Sequence, residues 1–127
     1  MAESSAVRFR MTGKFEKWVE KNRLQGAPFD ALIAALQADP TAGDVVPGSG
    51  GLRKIRMAGG GRGKRGGFRV VYTVVLAGTW LVLLRGYSKS ELAKLPEREM
   101  KRLQKIAESM EGEIRDSLKN PSTKASQ

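Results

Sequence analysis

The sequence contains no cysteine and no histidine. Without cysteine, disulfide frameworks and thiolate metal sites are excluded. Without histidine, the commonest metal ligand and the commonest general base are both missing. Any chemistry therefore falls to carboxylates, lysine, arginine, tyrosine or hydroxyl groups. Aromatic residues are scarce at 6%, with two tryptophans, two tyrosines and four phenylalanines. That leaves too little for the paired exposed aromatics of an RNA recognition motif. A long hydrophobic run is also missing. Residues 70–84 come nearest, but they are bracketed by Arg69 and Arg85 and interrupted by Ala77-Gly78-Thr79. A spanning helix needs about 20 residues, so this stretch reads as strand, turn and strand. The first ten residues, MAESSAVRFR, carry no apolar core and do not read as a secretory signal. A cytoplasmic location is the resulting expectation.

Acidic residues are missing from one continuous stretch. Residues 45–90 hold nine Lys/Arg and no Asp or Glu, while the rest of the chain holds 14 Lys/Arg against 13 acids. Nine of the ten excess positive charges therefore lie in this segment. Unopposed like charges repel and destabilise a compact state, so concentrating them points to a polyanion that offsets the cost. A sequence pI near 10.3 points the same way, toward nucleic acid.

What is present divides into recognisable elements. Val7, Phe9 and Met11 alternate with polar neighbours, as in a short strand. Phe15, Trp18 and Val19 recur at helical spacing. A second helix opens with Pro28, a favoured first-turn residue, and sets Phe29, Leu32, Ile33 and Leu36 on one face before Asp39-Pro40. Residues 41–51 are a loop by composition. Residues 52–58 read as a strand with Ile55 and Met57 on one face and Lys54 and Arg56 on the other. After a glycine-rich loop, residues 68–76 and 80–87 form a hairpin that is apolar on both faces, hence central in its sheet. Pro96 starts a last helix with the stripe Met100, Leu103, Ala107, Met110, Ile114 and Leu118, and Gly112 as a weak point.

This order predicts an α+β fold: a compact domain over residues 1–118, then a polar, disordered tail over 119–127. Its sheet is antiparallel with about four strands, helices pack on one face, and a C-terminal helix follows. The other face would stay open for Lys54 and Arg56.

The segment Gly61-Arg62-Gly63-Lys64-Arg65-Gly66 satisfies GxGxxG, but that fingerprint carries meaning only between a strand and a helix. Here the loop leads into a strand. A phosphate-binding P-loop fails as well, because Ala58 and Arg65 stand where glycine and Ser/Thr are required. What remains is a loop with Arg62, Lys64 and Arg65 as RNA-binding candidates, together with Arg53. Strands carrying Lys54, Arg56 and Arg69 flank it. Tyr87 follows Arg85 by two residues, on the same strand face, where it could stack on a base or seal the sheet edge.

The blocks Gly50-Gly51-Leu52-Arg53-Lys54-Ile55-Arg56-Met57-Ala58 and Gly61-Arg62-Gly63-Lys64-Arg65-Gly66-Gly67-Phe68-Arg69-Val70-Val71-Tyr72 resemble the signature of RelE/HigB-type toxins of bacterial toxin–antitoxin pairs. The stretch LLRGYSK, residues 83–89, resembles the family's last strand. The resemblance spans roughly residues 7 to 110. It implies a microbial-ribonuclease-like fold and an enzyme that enters the ribosomal A site and cleaves mRNA. A cognate antitoxin, in the HigB branch usually a helix-turn-helix protein, is implied too. By the same resemblance the family's strand lysines fall on Lys54 and Arg56, and its hairpin arginine on Arg69. The family's C-terminal arginine and tyrosine have no residue-for-residue match, and Arg85, Tyr87 and Lys89 stand nearby as candidates.

Such a reaction needs no metal or cofactor, because the RNA's own 2′-hydroxyl can attack the adjacent phosphate. The protein must orient the backbone, stabilise charge on the phosphorane and move two protons. An arginine fork suits the charge, a task for Arg69 assisted by Arg56 or Arg85. Lys54 among like charges is the candidate base, and Tyr87 or Lys89 the candidate acid. Two rival readings remain at this point: a basic RNA- or ribosome-binding protein that does not cut, and an inactive relative that docks an acidic protein.

Overall fold

The computed structural model describes residues 6–58 and 67–119. The order is β1 (Arg8–Met11), α1 (Gly13–Lys21), α2 (Ala27–Ala38), β2 (Asp44–Val45), β3 (Arg53–Met57), β4 (Phe68–Val75), β5 (Trp80–Ser88), α3 (Lys89–Ala93) and α4 (Glu97–Lys119). The strands form one sheet in the order β1-β5-β4-β3-β2. The apolar hairpin β4–β5 occupies its middle, as expected of strands buried on both faces. β1 joins β5 in parallel, and the other pairings are antiparallel, so the sheet is mixed and has five strands rather than about four. The fifth is β2, two residues inside the stretch read as loop. Among the described residues no helix is long and apolar enough to cross a membrane.

Each sheet face has its own core. On the first face, Val70 and Tyr72 of β4 and Leu81 and Leu83 of β5 pack with Phe15, Val19, Leu32 and Leu36 from α1 and α2. On the second, Val71 and Val75 of β4 and Val82 and Leu84 of β5 pack with Leu103, Ala107 and Ile114 of α4. The expectation of an open second face needs correction. α4 is amphipathic along the stripe read from the sequence, and it must bury that stripe somewhere; the apolar half of the second face accepts it. Tyr87 belongs to this core too, and the end of the face that carries Lys54, Arg56 and Arg69 is left outside it. Lys119, expected as the first residue of a polar tail over 119–127, is the last residue of α4; residues 120–127 lie outside the described part.

Two glycines are set by close approach rather than by turn chemistry. A Cβ on Gly86 would collide with the indole of Trp18, and one on Gly43 would lie 2.6 Å from the Lys54 carbonyl and 2.8 Å from the Tyr72 ring. Tyr72 itself is fully buried. Its hydroxyl donates to the Pro40 carbonyl at 2.8 Å and accepts from the Gly43 N–H at 2.9 Å. The loop after α2 is thereby pinned to the sheet, which settles where β2 and β3 can run.

Candidate nucleic-acid interface

Alternation alone would send Arg85 and Tyr87 to the wrong side. Leu81 and Leu83 belong to the first core, and a regular strand would place residues 85 and 87 with them. The β4–β5 register prevents this: Tyr72 pairs with Leu83 and Val71 with Arg85, so Leu84 is an extra residue on β5. Such a bulge sets two consecutive side chains on one side. Leu84 and Arg85 therefore both face α4, and Tyr87 follows.

Thr12 anchors the bulge. Its N–H donates to the Leu83 carbonyl at 3.1 Å and its hydroxyl to the Leu84 carbonyl at 2.7 Å. The same hydroxyl oxygen caps α1 by accepting from the Phe15 N–H at 3.0 Å. One residue thus ties the start of α1 to the irregularity in β5.

With that phase change, the candidates assemble into two cross-strand rows on one face. Arg56, Arg69 and Tyr87 form the first row, and Lys54, Val71 and Arg85 the second. Arginines directly opposite each other are unfavourable neighbours in a sheet, so the Arg56–Arg69 pair concentrates positive charge against the intrinsic preference of the strands. The Arg85 guanidinium lies 5.4 Å from the centre of the Tyr87 ring, within the range of a cation–π contact.

α4 contributes a carboxylate that the sequence reading missed. Glu99 lies 3.5 Å from Arg85 and 3.6 Å from Arg102, and the Tyr87 hydroxyl donates to it at 3.5 Å. A signal for it exists. Glu99 lies four residues before Leu103 and so extends the buried stripe with a charge, an arrangement that needs a partner. Tyr87 is 5% exposed. Burial pushes its phenol up to about 12, opposed by Arg85 and reinforced by Glu99, so it keeps its proton at neutral pH.

Two candidates fall elsewhere. Arg53 pairs with Tyr72 on the first face and donates to the Gly43 carbonyl at 2.6 Å and the Thr41 carbonyl at 3.3 Å. It holds the loop before β2 rather than joining the rows. Lys89 is the exposed first residue of α3, past the end of β5; Ser88 and Glu91 form a reciprocal capping box there. Arg62, Lys64 and Arg65 lie outside the described residues. The like-charge setting expected for Lys54 also changes. Arg53 points away, and Asp44 stands opposite Lys54 on β2. No cluster of three or more acidic or metal-binding side chains occurs among the described residues.

Residues 7–125 match the family described as the RelE toxin of the RelE / RelB toxin-antitoxin system. The chain belongs to the RelE toxin family. Solved structures similar to it include a free-state mutant of the E. coli toxin RelE, at 14% identity and a TM-score of 0.47, covering 83% of this chain and 97% of that one. Another is the RelBE2 toxin–antitoxin complex of Mycobacterium tuberculosis, at 20% identity and a TM-score of 0.42, covering 66% and 99%. This RelE-family toxin thus carries its cationic rows on the sheet face that α4 half covers.

Proposed function

We propose that this RelE-family toxin is a metal-independent endoribonuclease that cuts mRNA on the ribosome and so inhibits translation. The observation that carries the reading is the register: Lys54, Arg56, Arg69, Arg85 and Tyr87 share one face of three adjacent strands. A ribose–phosphate chain laid across the rows meets cations from each strand. Arg69, at the centre of its row, holds the phosphorane oxygens through its planar fork, with Arg56 beside it on β3 and Arg85 one row away on β5. Preorganised donors of this kind act where charge develops in the transition state.

Tyr87 holds its proton at neutral pH and gives it to the departing 5′-oxygen. Lys54 stands in the second row on the same face, opposite Val71. It takes up the 2′-hydroxyl proton as that oxygen attacks the adjacent phosphate. A phenol held this far above neutral pH makes a slow acid on free RNA, which supports a requirement for the ribosome to align the substrate. By membership of a toxin–antitoxin family, a cognate antitoxin is the proposed protein partner, with a helix-turn-helix fold expected from the HigB resemblance.

Mapping of mRNA 5′ ends after a short pulse of expression tests the reading. New ends inside coding regions and growth arrest are expected, and both should disappear with Arg69→Ala or Tyr87→Phe. Arrest without new ends would favour a protein that only binds RNA.

A further inference from the structure

Two cavities meet at Arg85 and Glu99. The larger, about 650 Å³, includes Trp18, Lys21, Phe68 and Arg98 in its wall. The smaller, about 420 Å³, includes Lys14, Lys17 and Arg102. β1 pairs with β5 only as far as Leu83, so both cavities open beside the part of β5 that β1 does not cover. Charge on α1 is sorted by side. Lys14, Lys17 and Lys21, at spacings of three and four, line the two cavities, whereas Glu16 and Glu20 line a groove on the other flank with Phe29 of α2. A tally of charge along the sequence cancels these lysines against those glutamates.

The larger cavity combines cations with an aromatic wall. Trp18 is half-buried, and its ring meets Phe68 edge-on at 5.3 Å and 86°. Aromatic faces beside a cationic track are how single-stranded nucleic acid is held: the cations follow phosphates and the rings take bases. Glu99 argues in the same direction. With Glu91 it sets two carboxylates in the wall, which accept hydrogen bonds from a base amine and turn the phosphates away from that side, toward Lys21 and Arg98.

We propose that this cavity is a nucleobase subsite for single-stranded RNA. The nucleotide beside the cleaved linkage turns round the uncovered edge of β5 past Arg85 and lays its base against Trp18. Lys21 and Arg98, both exposed, hold its phosphate. The subsite rests on the reading of the cationic rows as the cutting surface, and it extends the RNA path beyond them.

Trp80→Phe leaves Trp18 as the sole tryptophan. This variant would be titrated with a 2′-O-methyl hexanucleotide and with an abasic oligomer of equal phosphate count. The expected result is a change in Trp18 emission with the hexanucleotide alone. Lys21→Gln and Arg98→Gln together should weaken hexanucleotide binding roughly tenfold and lower the salt slope by roughly 0.7 per removed charge. The same emission change with both oligomers, or with neither, would overturn the proposal. So would deca-glutamate binding that depends on Lys21 and Arg98 while hexanucleotide binding does not. End mapping of cleaved mRNA with the unaltered chain separates this idea from the one beneath it. Cleavage with a silent Trp18 defeats the subsite alone, whereas a responding Trp18 without cleavage upholds the subsite and defeats the nuclease reading.

Discussion

The two faces of the sheet do different work with the same strands. The first is packed under α1 and α2, and its one tyrosine, Tyr72, spends its hydroxyl on the Pro40 carbonyl and the Gly43 N–H. The second is divided. α4 covers Val71, Val75, Val82 and Leu84 and reaches Arg85 and the buried Tyr87 through Glu99, and the remaining end carries Lys54, Arg56 and Arg69. One bulged residue makes the division possible, because it turns β5 from an alternation that suits the first face to one that brings Arg85 and Tyr87 beside Arg69. The closed face supplies rigidity, and the divided face keeps charged groups together that would otherwise drift apart.

The comparison breaks most sharply at Arg69. Arg69→Ala should lower mRNA cleavage at least about 100-fold, the scale of losing a preorganised donor to the transition state. Its urea midpoint should move little, because no core residue is removed. A cleavage assay beside an unfolding curve checks both halves, and equal loss in the two would mean that the cationic end is structural. The apolar half of the same face should behave oppositely. Leu103→Ala empties a buried position in the α4 contact and should cost about 2–5 kcal/mol of stability, read from the same urea curves.

The closed face gives a smaller effect. Tyr72→Phe leaves the Pro40 carbonyl and Gly43 N–H without their partner and should destabilise the fold by about 1–3 kcal/mol, with cleavage at saturating RNA unchanged. The smallest effect at neutral pH comes from titration. Burial raises both phenols above the ordinary value, Tyr87 to about 12. The folded state then holds these protons more tightly than the unfolded chain. Their contribution to stability is complete below pH 10 and is lost as pH rises from 10 toward about 12. Phenolate absorbance should accordingly stay low at pH 10 in the folded protein and appear on unfolding.

Much of this was legible in the residues. The apolar hairpin, the alternation of Lys54 and Arg56 against Ile55 and Met57, the Pro28 and Pro96 helix starts and the stripe of α4 all follow from local patterns. Three features did not. The bulge at Leu84 is a property of the pairing with β4, and nothing within LLRGY marks which residue is extra. β2 is two residues whose strand character comes only from β3 alongside. Arg53 shares its parity with Ile55 and Met57, but the Thr41 and Gly43 carbonyls that hold it come only from the fold. In each case the missing information is a partner distant in sequence. The lysine row of α1 was hidden for a different reason, since charge counted along a helix says nothing about which side it occupies.

The chemistry of the cut ends tests the central claim most directly. An mRNA with a single 2′-deoxynucleotide at the cleavage site should remain whole there, while the all-ribose message yields a 2′,3′-cyclic phosphate and a 5′-hydroxyl. Cleavage of the deoxy-substituted site, or ends bearing a 5′-phosphate, would show that the shared face of β3, β4 and β5 does not act by directing a 2′-hydroxyl at its neighbouring phosphate.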